Sequence, residues 1–204
     1  MVLKYNSFTT IIVGEFVYLL NQKCAEVNLR IPSVLSVPSV PSIPDSEKVV
    51  KKVMIGSLTN FNQDVERIEA ECALHEDCSN LFRHKSTATT YHDLENLKSV
   101  NLSRCDGSMV KTLKRMFDGC TAVEKISLPG GMSPDDVRFM FNNCASLKDL
   151  ERGSLFNPLY AGNMFKGCQH IHYTDIHGFH FNRCLDKDKV MNGMPLSAQC
   201  INFN

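Results

Sequence analysis

Three copies of one short pattern stand in a single register in this chain of 204 residues: MFDGC at 116–120, MFNNC at 140–144 and MFKGC at 164–168. Met116, Met140 and Met164 are 24 residues apart, and so are Phe117, Phe141 and Phe165, and Cys120, Cys144 and Cys168. The apolar positions stay in step beyond each cysteine. Val123, Leu147 and Ile171 follow it by three residues, and Ile126 and Leu150 by three more, where the third copy has Thr174. A fixed period of this size marks a solenoid, in which one structural unit stacks on the next.

The need to stack follows from surface and volume. A unit of 24 residues cannot bury enough apolar surface alone, so each depends on a neighbour at either side. The LxxLxL stretch of each unit suits a short strand with residues alternating inward and outward. The MFxxC segment suits a helical or turn-like return on the opposite face. Stacking then sets Met116, Met140 and Met164 on one line through the core, Phe117, Phe141 and Phe165 on a second, and Cys120, Cys144 and Cys168 on a third. Terminal units need polar caps.

The pattern MFxxCxxLxxLxLS, closed by a valine before the next MF, resembles the BspA-type leucine-rich repeat, and Val137 takes that valine's place. A degenerate copy precedes it: Tyr91 stands at the Phe position, Leu94 at the Cys position, Leu97, Val100 and Leu102 keep the LxxLxL spacing, and Val110 comes near the next turn. Cys78 with Leu81, and Cys184 within HFNRC, read as half-formed flanking units. The resemblance covers 90–179 well and 75–185 loosely, and does not touch 1–60. It implies a leucine-rich fold, and a role in adhesion or recognition, commonly at a cell surface.

The cysteines read as core rather than as ligands, because cysteine packs as a small hydrophobe. One sulfur per coil, roughly 5 Å from the next, makes a line and not a tetrahedral shell. The total of nine is odd and includes no CxxC, which fits reduced thiols in an intracellular compartment or organelle better than a secreted disulfide framework. His170, His172, His177 and His180 cluster with Asp175 and Cys184, but their spacing matches no zinc signature, and inward Ile171 and Ile176 turn the histidines outward. No nucleophile elbow, phosphate loop or HExxH occurs, so neither an enzyme nor a cofactor is expected. Acidic and basic residues balance at 22 each, and without a basic stripe nucleic acid is not the expected main partner.

The N-terminal third differs. Residues 8–20 are apolar, yet Glu15 interrupts them and no cleavage site follows, so they read as a docking segment rather than as a signal or a membrane span. In PSVLSVPSVPSIP, at 32–44, Val34, Val37, Val40 and Ile43 recur every third residue, which a polyproline II helix gathers on one edge. After it, Asp45–Ser46–Glu47 can open a helix with Val49, Val50, Val53 and Met54 on its apolar side, and Val65, Ile68 and Cys72 suggest a second helix over 62–76. The expected organisation is an α/β repeat protein: a docking segment (1–30), an extended proline-rich arm (31–45), a helical N-terminal cap (46–89), a leucine-rich-repeat solenoid (90–187) and a tail (188–204).

The function expected from this layout is a non-catalytic structural subunit of a large assembly, such as an organellar complex or a virion. It would hold other protein subunits through the edge Val34, Val37, Val40 and Ile43. The outward strand positions Ser99, Asn101, Lys125, Ser127, Asp149, Glu151, Tyr173 and Asp175 would add a second contact face. A surface adhesion or recognition module is the alternative, and a zinc-binding module a distant third.

Overall fold

The computed structural model describes residues 2–5, 8–23, 26–38, 48–85, 91–152, 157–172, 179–190 and 192–193. Among them lie strands β1 (Val2–Tyr5), β2 (Phe8–Val13), β3 (Phe16–Gln22), β4 (Asn28–Ile31), β5 (Val34–Pro38), β6 (Lys48–Ile55), β7 (Arg67–Ala70) and β8 (Ala73–Leu74). They are followed by β9 (Arg83–Lys85), β10 (Tyr91–Asp93), β11 (Ser99–Asn101), β12 (Lys125–Leu128), β13 (Asp149–Arg152) and a single-turn helix α1 (Lys187–Val190). The expected α/β architecture with a helical cap is therefore wrong. The regular structure of the described chain is almost all strand.

Two sheets account for most of it. The parallel sheet runs β4-β7-β11-β12-β13, with Leu29, Ile68, Val100, Ile126 and Leu150 side by side in register. The mixed sheet runs β1-β2-β3-β6-β5, and β8 joins it beside β6. Its strand β6 stands where a helix was expected, and the residues show why. Lys48–Ile55 is rich in β-branched valine, which prefers a pleated surface. Its Val53 and Ile55 face the core while Val50 and Lys52 face out, a period of two. Likewise Arg67 and Glu69 are exposed and Ile68 and Ala70 buried, so the apolar spacing that suggested a helix over 62–76 belongs to strand β7 and the corner after it.

The polyproline arm needs a similar correction. Val34–Pro38 pairs antiparallel with β6, from Val34 opposite Lys52 to Pro38 opposite Lys48. It is the edge strand of the mixed sheet, where a proline without an N–H is tolerated. Leu35 packs on the core while Val34 is 45% exposed, so the chain alternates by two and not by three.

The repeat register extends further upstream than the pentapeptides suggest. Phe61, Phe82, Phe117, Phe141 and Phe165 form one stack with centroids 5.4, 4.7, 5.6 and 5.3 Å apart and planes within 13°. Phe82, not Tyr91, holds the Phe position of its coil. Leu94 does sit where the next coils have cysteine: the Leu97 amide reaches its carbonyl just as Val123 reaches Cys120 and Leu147 reaches Cys144. The antiparallel hairpin β9–β10 is inserted between Phe82 and Leu94 and displaces the apparent register.

Each return is a run of turns, held by hydrogen bonds between coils. Phe82, Phe117 and Phe141 donate their amides to the carbonyls of Met116, Met140 and Met164. The residue before each repeat cysteine has a left-handed backbone: Gly119 (φ 80°), Asn143 (φ 59°) and Gly167 (φ 80°). Glycine and asparagine are the residues that adopt this conformation readily, which explains the G, N, G at that point of the three pentapeptides.

The C-terminal side is sealed by Asp186. Its carboxylate accepts the amides of Ala161 at 2.8 Å and Gly162 at 3.0 Å and the Cys184 thiol at 3.1 Å. Burial acts to raise its pKa, but these donors outweigh burial and hold it below the ordinary 3.8. A depressed carboxylate stabilises the fold above the unfolded value and loses that contribution as the pH falls through the folded one. Asp186→Asn should therefore flatten the fall of the urea midpoint below about pH 4. A variant with the parent's acid profile would show that this seal contributes nothing.

Candidate recognition face

The inward residues of the repeats form a dry core. Met116, Phe117, Cys120, Met140, Phe141, Cys144, Met164, Phe165 and Cys168 are all fully buried. The thiols of Cys120, Cys144 and Cys168 point to the preceding coil, donating to the carbonyls of Phe82, Phe117 and Phe141 at 3.5, 3.2 and 3.0 Å. Burial pushes their pKa up, to about 12 for Cys168, and higher for Cys120 and Cys144. These are packed thiols with satisfied donors, poor nucleophiles at neutral pH.

The outward side of the parallel sheet is different in character. Charged and amide side chains stand in rows across the strands: Asn28, Arg67, Ser99, Lys125 and Asp149 in one register, and Arg30, Glu69, Asn101, Ser127 and Glu151 in another. Cross-strand pairs tie them together. Arg30 meets Glu69 at 3.1 Å, Lys125 meets Asp149 at 2.9 Å and Glu151 at 2.7 Å, and the Ser127 hydroxyl donates to Glu151 at 2.6 Å. Hydrogen bonds from Lys125 and Ser127 lower the Glu151 pKa, and those from Lys125 to Glu151 and Asp149 raise that of the ammonium. Such exposed pairs contribute little to stability, but they fix side-chain positions.

Where β4, β7 and β11 meet, this face dips into an open groove of about 420 Å³ lined by Asn28, Arg30, Arg67, Glu69, Ser99 and Asn101 over Leu29 and Ile68. Arg67 forms no ion pair among the described residues, whereas Arg30 is held by Glu69. The groove thus offers a free guanidinium among amide and hydroxyl groups. At the opposite end of the face, one lysine, Lys125, serves two carboxylates. The face is polarised from basic to acidic along the stack.

Of the positions singled out in the sequence, Lys125, Ser127, Asp149 and Glu151 come together here, although Ser127 is only 2% exposed. Tyr173 and Asp175 lie outside the described residues, as do Val40, Ile43 and the Val37 side chain. Ser99 and Asn101 line the groove, but its β4 and β7 side was missed, because Asn28, Arg30, Arg67 and Glu69 fall in segments read as a docking segment and a helix. Their alternation, NLRI and RIEA, was the available signal. His170, His172 and His180 are exposed, while His177 and Asp175 are not described. Among the described residues no three His, Cys, Asp or Glu side chains are placed to hold a metal ion. No described helix is long and apolar enough to cross a membrane.

No family model matches the chain, and no curated protein matches its sequence. A solved crystal structure, that of a leucine rich cell surface protein from Faecalibacterium prausnitzii A2-165, is similar at 13% identity and a TM-score of 0.40, covering 84% of this chain and 41% of that one. The present chain therefore spans less than half the length of that protein. At that identity and TM-score the likeness is distant. The expected intracellular, reducing compartment or organelle loses its support, because all seven described free cysteines are buried, where a thiol packs as a small hydrophobe whatever the compartment.

Proposed function

We propose that the chain is a non-catalytic recognition module that binds a protein partner through the outward face of its parallel sheet. The observation that carries this reading is the groove at β4, β7 and β11, where Arg67 is left unpaired on a face whose other charges are largely tied in place. Solenoid-like arrays bind through such continuous surfaces, and a guanidinium in a groove favours a carboxylate, which it can engage with two parallel hydrogen bonds. The partner is a protein segment presenting acidic side chains toward Arg67. The structural-subunit reading, with an organellar complex or a virion as its assembly, is set aside, because it rested on a free arm and Val34–Pro38 is bonded to the protein's own sheet.

The test is an array of acidic peptides alongside the same peptides with glutamine for glutamate. Arg67→Glu should weaken binding of the acidic set about tenfold or more, while leaving the unfolding free energy within about 0.5 kcal/mol of the parent. Reversal at the distant Asp149 and Glu151 should affect these peptides less. Binding that ignores Arg67→Glu, or that shows no preference for acidic over amide peptides, would refute the assignment.

A further inference from the structure

A second group of cysteines lies apart from the repeat ladder, where the two sheets meet. Cys72 follows β7 and Cys105 follows β11, so they occupy equivalent corners of successive coils. Ala73 and Asp106, the residues after them, form a parallel bridge, and the Asp106 amide donates to the Cys72 carbonyl at 3.1 Å. That register sets Cys72 and Cys105 side by side. Neighbouring strands are about 4.8 Å apart, within the roughly 4.4–6.8 Å between Cα atoms that a disulfide spans. The neighbouring Cys105 side chain and burial push the Cys72 pKa up. The Cys105 thiol also reaches the Ala70 carbonyl at 3.3 Å, and Cys78 is turned to the His75 carbonyl at 3.2 Å.

We propose that Cys72 and Cys105 are a latent disulfide pair, a site of oxidative modification that joins the corner of one coil to that of the next. The two cysteines differ in access. Cys72 is 1% exposed and Cys105 is 8% exposed, beside the exposed turn residues Ser103 and Arg104. Cys105 is therefore the sulfur an external oxidant reaches first. The co-reactant is a small-molecule disulfide. The Cys105 thiolate attacks one of its sulfurs, forming a mixed disulfide and releasing one thiol. Cys72 then gives up its proton and attacks the Cys105 sulfur, expelling the second thiol. Two protein thiols are oxidised, one small disulfide is reduced to two thiols, and the protein loses two hydrogens.

The bond would have a structural effect that the repeat cysteines could not give. Ala73–Leu74 is bonded to β6 of the mixed sheet, whereas Cys105 belongs to the repeats. The link would clasp the N-terminal sheet to the array and close the loop that carries the β9–β10 hairpin. In the repeat ladder each thiol is instead spent on a phenylalanine carbonyl of the preceding coil, and none is exposed.

The experiment uses the reduced full-length chain treated with oxidised glutathione, then alkylated in denaturant and mapped by mass spectrometry. The expected product has lost about 2 Da and yields one cross-linked peptide pair, Cys72 with Cys105. Its thermal midpoint should rise by roughly 5–15 °C, and reductant should reverse the change. Cys72→Ala should leave Cys105 as a stable glutathione adduct, because no thiol remains to displace it. A bond between Cys120 and Cys144, or no intrachain bond while Cys72 and Cys105 are both recovered alkylated, would overturn the proposal. The parent's peptide map decides this even if the variant does not fold.

Discussion

Phe117→Ala is expected to destabilise the folded chain by about 3–5 kcal/mol, the range for truncating a buried aromatic. Two terms combine. The ring is fully buried, and it stacks on both faces, 4.7 Å from Phe82 and 5.6 Å from Phe141. Each stacked pair adds about 0.5–1.5 kcal/mol beyond area burial. The cavity would open in the middle of the stack, between coils whose backbones are pinned by the Phe117 amide to the Met140 carbonyl at 2.9 Å. Collapse to fill it is therefore restricted. In a domain of this size the thermal midpoint should fall by about 6–20 °C. Phe139→Ala supplies the contrast. That ring is half-buried under the Arg115 guanidinium, 4.6 Å from its centroid, and its loss should cost less, about 1 kcal/mol. Equal effects from the two variants in urea titrations would contradict the stack as the main store of stability.

The second large effect is expected at Asp118, a charged residue only 5% exposed. Its carboxylate gathers Arg115 at 2.9 Å, Arg83 at 3.4 Å and the Asn142 side-chain amide at 2.7 Å. Arg83 in turn holds Asp93 at 3.0 Å. The cluster thus joins the β9–β10 hairpin to two successive repeat turns. Removing one partner of a buried pair leaves the other charge uncompensated, and Asp118→Ala should cost about 3–5 kcal/mol. Asp118→Asn keeps an acceptor for Asn142 and isolates the charge, so a smaller loss is expected. The position of Gly119 adds to the constraint. Beyond its left-handed φ of 80°, a side chain there would strike the Asp93 carboxylate. If Asp118→Ala unfolds at the parent's urea concentration, the cluster is a solvated ornament and not a buried tie.

The sequence states the repeat core openly, because three units of equal length keep their Met, Phe and Cys in phase. It hides the upstream coils for a physical reason. Phe61 and Phe82 belong to the same stack, but Ile68 follows Phe61 by seven residues and Val100 follows Phe82 by eighteen, where the regular units have nine. Equal spacing is not what stacking requires. It requires that each phenylalanine meet the next, and loops take up the difference. The N-terminal strands were hidden by ambiguity of period. Val49, Val50, Val53 and Met54 fit a helical face on paper, yet the β-branched residues and the neighbouring strands settled the segment as β6. The outward face was half legible: β12 and β13 were visible through the repeat, while β4 and β7, which supply Arg67, carried no repeat signature.

The hairpin between Phe82 and Leu94 shows where this architecture tolerates change. In the regular coils the phenylalanine and the cysteine are three residues apart. Here the two positions are twelve apart, and yet Phe82 keeps its place in the stack and Leu94 its place at the next corner. That corner is therefore a natural graft point. A segment whose ends lie close together can be spliced in there without rewriting the scaffold. The same corner after Phe117, Phe141 or Phe165 is an addressable position, so one stack could display several different appendages at a spacing set by the coil height.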